Sequence, residues 1–190
     1  EDPPEGRRIG GCGHPFRCRV SHALKAAVVI PTYNEAETIG ELVAKAGLYC
    51  TPIVVDDHSS DGSGSAAEAA GAVVVRHKEN RGYDGAIQSG FEKADAIGAE
   101  VVATMDADGQ HSPELLARFF TPIGSENASM VLGVRASEAR PSERLFNLYT
   151  RARFGIRDIL CGMKAYRIEI YRQNGRFDGS GSIGTELALF

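Results

Sequence analysis

Met105-Asp106-Ala107-Asp108-Gly109-Gln110 carries the sharpest chemical signal in this chain. In an extended segment side chains repeat every second residue, so Asp106 and Asp108 point the same way. Two carboxylates on one side make a hard-oxygen half-site for Mg²⁺ or Mn²⁺, completed by phosphate oxygens of a ligand. The same residues also suit an Asx turn leading into a helix, and the pair alone leaves both readings open. A second acidic cluster, Val55-Asp56-Asp57-His58-Ser59-Ser60-Asp61-Gly62-Ser63, holds three carboxylates. These can accept hydrogen bonds from the N–H groups of a base or from ribose hydroxyls. Helix capping explains Ser60 or Asp61, but not two Asp placed directly on an apolar run. A third segment, Asn80-Arg81-Gly82-Tyr83-Asp84-Gly85-Ala86, has glycines that let backbone approach a ligand closely.

Such loops need elements to hold them. Ala26 to Ile30 is a short continuous apolar run, the pattern of a strand buried on both faces. Ile39, Leu42, Val43 and Ala46 then recur at helical spacing, closed by Gly47. The alternation returns with a strand at Pro52 to Val55, a helix from Ser65 to Ala70 and a strand from Ala72 to Val75. It returns again with a helix from Gly85 to Ile97, a strand from Glu100 to Met105, and a helix opened by Ser112-Pro113-Glu114 and running through Phe120. Strands alternating with helices predict an α/β domain with a mostly parallel sheet, whose ligands bind beyond the carboxyl ends of the strands. All three polar segments fall there or open the next helix. No G-x-G-x-x-G follows the first strand, which disfavours a dinucleotide-dependent dehydrogenase.

Composition bounds the rest. The 190 residues, 43% hydrophobic and 24% charged, suit one globular domain. Residues 1–24, rich in Gly, Pro and Arg, read as an arm, and the folded unit begins at Lys25. No apolar run approaches the ~20 residues of a membrane span, and no apolar signal core opens the chain. A net charge of −4 argues against a nucleic-acid partner. From Arg135 to Arg176, however, nine Arg and one Lys face four acids, a local +6 that suits anionic ligands, phosphates above all. Four unevenly spaced Cys make no disulfide framework and point to a reducing compartment, hence a cytoplasmic location. Cys12, His14, Cys18 and His22 offer zinc-ligand types, but their spacing matches no common finger. Ser142 to Phe154 reads as an amphipathic helix with Leu145, Leu148, Tyr149 and Ala152 in one stripe. Packing of that stripe on the sheet is the first expectation. The alternative is an interfacial helix at a lipid surface.

In order along the chain, V-V-I-P-T-Y-N-E (28 to 35), V-D-D-H-S-S-D-G-S (55 to 63), N-R-G-Y-D-G-A (80 to 86) and M-D-A-D-G-Q-H-S-P (105 to 113) resemble the successive motifs of the family-2 glycosyltransferases of the GT-A fold. G-V-R (133 to 135) and D-I-L-C-G-M-K-A-Y-R (158 to 167) resemble the branch that acts on dolichyl and other polyprenyl phosphates. The resemblance implies a GT-A nucleotide-diphospho-sugar transferase fold over 25–190, with room for membrane-anchoring segments beyond Phe190. It implies a metal-dependent, inverting transfer of a sugar from a UDP- or GDP-sugar to a polyprenyl phosphate, at the cytoplasmic face of a membrane. Pro31, Tyr33, Glu35, Asp56 and Asp57 match the donor-binding positions. Asp106, Asp108 and Gln110 match the metal and diphosphate site, with Asp106 shared between donor and metal. Arg135 and Arg144 match positions that meet the acceptor's phosphate, and Glu186 matches the family's base.

Two departures bear on loop shape: Gly109 stands where the family has a bulky apolar residue, and His58 where it has Gly. The alternatives are a same-fold transferase with a soluble saccharide or hydroxy-acid acceptor, and a nucleotide-sugar-binding module without turnover. Retention of both Asp106 and Asp108 argues against the second.

Overall fold

The computed structural model describes residues 24–109, 111–125, 128–134, 147–148, 150–153, 155, 158 and 161–177. The expected arm, including Cys12, His14, Cys18 and His22, lies outside them except for Leu24, which packs against the core.

Six strands form one sheet: β1 (Ala26–Thr32), β2 (Thr51–Asp56), β3 (Val73–Arg76), β4 (Val101–Thr104), β5 (Met130–Leu132) and β6 (Lys164–Arg167), in the order β3-β2-β1-β4-β6-β5. The first four pair in parallel, with Thr32 beside Asp56 and Val29 beside Thr104. β6 runs antiparallel to both β4 and β5. The α/β expectation with a mostly parallel sheet therefore holds, and the antiparallel edge is the addition.

Helices α1 (Ile39–Ala46), α2 (Ser63–Ala69), α3 (Gly82–Ala96), α4 (Leu116–Ser125) and α5 (Ile168–Asn174) flank the sheet. Alternation along each strand divides the core. Val28, Ile30, Val54 and Ala103 face one way, into a cluster with Leu42, Val43, Ala67, Leu116 and Ile123. Ala27, Val29, Ile53, Val55 and Val102 face the other way, into a cluster with Ile87 and Phe91 of α3 and Tyr171 of α5. Burial of this kind contributes roughly 25 cal/mol per Å² of apolar surface, so both faces of β1 and β2 are committed to the core and only their carboxyl ends remain for chemistry. α3 lies so close to β1 that a Cβ on Gly90 would overlap the Val29 side chain.

The stripe expected on a helix from Ser142 to Phe154 needs correction. Residues 147–148 and 150–153 are helical, but the buried side chains are Asn147 and Thr150, while Leu148 is 64% exposed and Ala152 is open to solvent. Of the expected stripe, Leu148 and Ala152 face solvent, and Leu145 and Tyr149 lie outside the described residues.

Candidate active site

The carboxyl ends of β1, β2 and β4 are stitched together by loop hydrogen bonds. After β1, the Asn34 N–H donates to Ser59 Oγ (3.0 Å), Glu35 N–H to Ser63 Oγ (2.8 Å) and Ala36 N–H to Asp61 Oδ2 (3.0 Å). In return Ser60 N–H donates to Asn34 Oδ1 (2.9 Å). Asp61 is held below the usual carboxylate range, chiefly by the Ser63 hydroxyl and then by the Ala36 amide. Within this frame Tyr33 is 54% exposed and Pro31 and Glu35 are partly buried. His58 adopts φ +70°, a left-handed conformation that glycine occupies at no steric cost, which explains why Gly is the family's usual residue there.

The two acids after β2 diverge. Asp56 accepts the Ser59 N–H (2.9 Å) and lies against α2, where a Cβ on Gly64 would overlap its Oδ2. Asp57 turns to the opposite layer. Its Oδ1 accepts His77 Nδ1 (2.6 Å) and Arg81 N–H (2.8 Å), and its Oδ2 accepts Gly82 N–H (2.8 Å). Asp57 thus meets the positive end of α3 and pins the turn at Gly82, whose φ of +74° suits glycine. α3 begins at Gly82, three residues before the expected start, because this side-chain acceptor replaces the missing helical carbonyls.

After β4, Asp106 is 32% exposed at its side chain and Asp108 is exposed. Asp106 Oδ1 accepts the Tyr83 hydroxyl (3.1 Å), and its Oδ2 lies 3.7 Å from His111 Nδ1. That imidazole nitrogen is buried without a hydrogen-bond partner. Burial, followed by the charge of Asp106, raises the Tyr83 hydroxyl well above its ordinary value, so it stays a donor. Thr38 Oγ1 anchors the Ala107 carbonyl (3.0 Å) and Thr104 Oγ1 the Gly162 carbonyl (2.7 Å). Gly162, from the 158–167 motif, leaves space that a Cβ would take from Asp106. After β5, Gly133 N–H donates to the Met163 carbonyl (3.0 Å), which brings Gly133 alongside β6.

Among the described residues, no three His, Cys, Asp or Glu side chains converge into a self-sufficient metal cage. The donor set fits an ion shared with a ligand: Asp106 with one oxygen spoken for by Tyr83, an exposed Asp108 and an orphaned imidazole nitrogen. Gln110, Arg135, Arg144 and Glu186 lie outside the described residues. Reasoning from sequence missed Tyr83, His77, Ser89, His111 and Gly162 as site residues. Tyr83, His111 and Gly162 sat inside the quoted motifs and were detectable there.

The profile of the family described as glycosyl transferase family 2 matches residues 27–181. The polyprenol monophosphomannose synthase of Mycolicibacterium smegmatis is 34% identical over 187 residues, covering 87% of this chain and 69% of that protein. The undecaprenyl-phosphate 4-deoxy-4-formamido-L-arabinose transferase of Serratia proteamaculans is 33% identical over 172 residues, covering 80% of this chain and 52% of that protein. In fold, the chain resembles the crystal structure of glucosyl-3-phosphoglycerate synthase from Mycobacterium tuberculosis, solved with Mn²⁺, UDP-glucose and phosphoglyceric acid. The TM-score is 0.66 at 21% identity, covering 80% of this chain and 59% of that one. The expected GT-A architecture is thereby established. The chain spans about half to two thirds of the length of the relatives it matches.

Proposed function

The chain belongs to glycosyl transferase family 2, and from that premise we propose that it moves a sugar from a nucleotide-sugar donor to a polyprenyl phosphate, with inversion at the anomeric carbon. The observation that supports this reading is Asp106 at the carboxyl end of β4, only partly exposed and hydrogen-bonded by Tyr83, with the exposed Asp108 two residues on. Asp106, Asp108 and Gln110 would hold Mg²⁺ or Mn²⁺, which when bound offsets the charge that develops on the leaving diphosphate.

The chain's own residues supply orientation. Tyr83 holds Asp106 in one rotamer, Gly162 leaves that carboxylate its space, and Thr38 fixes the backbone at Ala107. The stitched loop after β1 supports Pro31, Tyr33 and Glu35 as one wall for the nucleoside, with Asp57 as the acceptor for its base. Arg135 and Arg144 would grip the acceptor's phosphate, a task for the guanidinium fork. A phosphate monoester is already ionised near neutral pH, so Glu186 is not required as a base.

Among the described residues no helix is long and apolar enough to cross a membrane. The exposed Leu148, on a helical segment that also carries Arg151 and Arg153, and the exposed Val134 (61%) support peripheral contact with a lipid surface.

The test is transfer from UDP- and GDP-sugars to a short-chain polyprenyl phosphate and to soluble saccharide and hydroxy-acid acceptors, with and without Mn²⁺. Cation-dependent transfer to the lipid is expected, and Arg135→Ala should raise the KM for lipid far more than that for donor. Transfer confined to a soluble acceptor and abolished by Glu186→Gln would overturn the acceptor assignment.

A further inference from the structure

A carboxylate offers about four acceptor positions, two on each oxygen. On Asp57 three are taken by the protein itself. Oδ1 receives His77 Nδ1 and the Arg81 amide, and Oδ2 receives the Gly82 amide. The remaining position lies on Oδ2.

His77 is held in this arrangement from behind. Its Nε2 lies 2.9 Å from Ser89 Oγ, and that hydroxyl receives Arg81 Nη1 at 3.4 Å. With Arg81 donating to its oxygen, Ser89 can give its proton to Nε2, which places the ring proton on Nδ1, facing Asp57. A protonated ring also donates from Nδ1, so both charge states fill Oδ1. Aspartate, histidine and serine stand here in the order of a hydrolytic triad. However, the Asp57 and His77 side chains are each 5% exposed and Ser89 is 8% exposed on the inner side of α3. A serine so enclosed attacks no substrate, and the trio acts as a lock on the Asp57 carboxylate.

Nucleobase edges differ in what they ask of such a group. The imide edge of uracil or thymine presents one N–H between two carbonyls. Guanine presents N1–H and N2–H side by side, a pair that a carboxylate satisfies with both oxygens at once. With Oδ1 filled, Asp57 can accept one further N–H and cannot form the two-pronged bond. We infer that His77, acting through Asp57, restricts the donor to a nucleotide sugar with an imide pyrimidine base, a uridine or thymidine diphosphate sugar, and disfavours guanosine. This rests on the reading that Asp57 meets the donor's base. His77 is then a specificity-determining positioning residue, set apart from the cation.

Isothermal titration of the whole chain with UDP, dTDP, GDP and N3-methyl-UDP, each with Mn²⁺, separates the two claims. UDP or dTDP should bind at least ~10-fold more tightly than GDP, and N3-methylation should weaken UDP by ~10-fold or more, the loss of one charge-assisted hydrogen bond. GDP binding as tightly as UDP, with the methylation penalty intact, would overturn the inference and leave Asp57 at the base. N3-methyl-UDP binding as well as UDP would instead overturn the Asp57 reading. A His77→Leu variant that still melts cooperatively should narrow the UDP-to-GDP ratio, while His77→Asn, which restores an N–H, should keep it. An unchanged ratio in folded His77→Leu would remove His77 from the account, and the wild-type titrations decide the base in either case.

Discussion

Two acidic pairs stand at the carboxyl ends of two strands, and the protein treats them in opposite ways. Asp56 and Asp57 are 8% and 4% exposed, turned to opposite layers and hydrogen-bonded to the amides of Ser59, Arg81 and Gly82 and to His77. Asp106 is 32% exposed at its side chain and Asp108 is exposed, and Asp106 receives the Tyr83 hydroxyl on Oδ1. A buried carboxylate is tolerable only when its oxygens are satisfied, so the first pair anchors the loops around it, Asp57 keeping one acceptor position on Oδ2. A solvent-accessible carboxylate can reach a ligand, which is why the proposed cation site falls on the second pair. Sequence alone scored both as acids on strand ends, and burial tells them apart.

Substitution at the open pair should give the largest loss of activity at the smallest cost in stability. Asp106→Asn and Asp108→Asn are expected to lower turnover ~100-fold or more, with the melting temperature moved by no more than ~2 °C. A large fall in melting temperature at Asp108 would make both pairs structural and erase the contrast. The buried pair should behave the other way. Asp57→Ala removes the acceptor of the buried His77 ring and of the Arg81 amide, while the Gly82 amide keeps Asn80 Oδ1 (3.1 Å), and should cost about 2 kcal/mol of stability by denaturant titration. Asp56→Ala should cost about 1–2 kcal/mol while the folded fraction keeps its donor affinity. Reduced donor affinity in folded Asp56→Ala would show that this carboxylate serves the donor site as well as the loop.

A smaller effect sharpens the picture of how the open pair is held. Tyr83→Phe deletes the hydrogen bond to Asp106 and should weaken Mn²⁺ affinity roughly 5-fold, about 1 kcal/mol, with stability nearly unchanged. Smallest is a pH effect. Burial holds Tyr83 and Tyr166 protonated beyond the ordinary tyrosine value of 10. Their contribution to stability is complete below pH 10 and is lost as pH climbs past it, because the unfolded chain then releases protons the folded one retains. Denaturant titrations at pH 8 and pH 11 should show that fall, weaker in Tyr83→Phe.

Most of the parallel half of the fold was legible because β1, β2 and β4 are buried on both faces and therefore read as unbroken apolar runs ended by polar residues. β6 was not legible as a strand. Lys164-Ala165-Tyr166-Arg167 has no apolar run, yet Lys164 is 3% exposed and Tyr166 fully buried, a tertiary environment that local pattern does not encode. The same limit applied to the site. Asp106 and Asp108 stood out by spacing, and their support at Tyr83 and Gly162 lay in motifs read for other reasons. His77 follows β3 with no motif around it, 20 residues from Asp57 and 12 from Ser89, so only folding joins the three. The stripe at Leu148 was misjudged because apolar spacing predicts a face without saying what covers it.

Asp106 and Asp108 are proposed to hold a cation that the donor's diphosphate completes. Titrating Mn²⁺ into the protein by electron paramagnetic resonance, with and without UDP, tests it most directly. Mn²⁺ should bind weakly alone and at least ~10-fold more tightly with UDP present, and Asp108→Asn should lose that enhancement. Equal Mn²⁺ affinity with and without UDP, or an enhancement that survives Asp108→Asn, would contradict it.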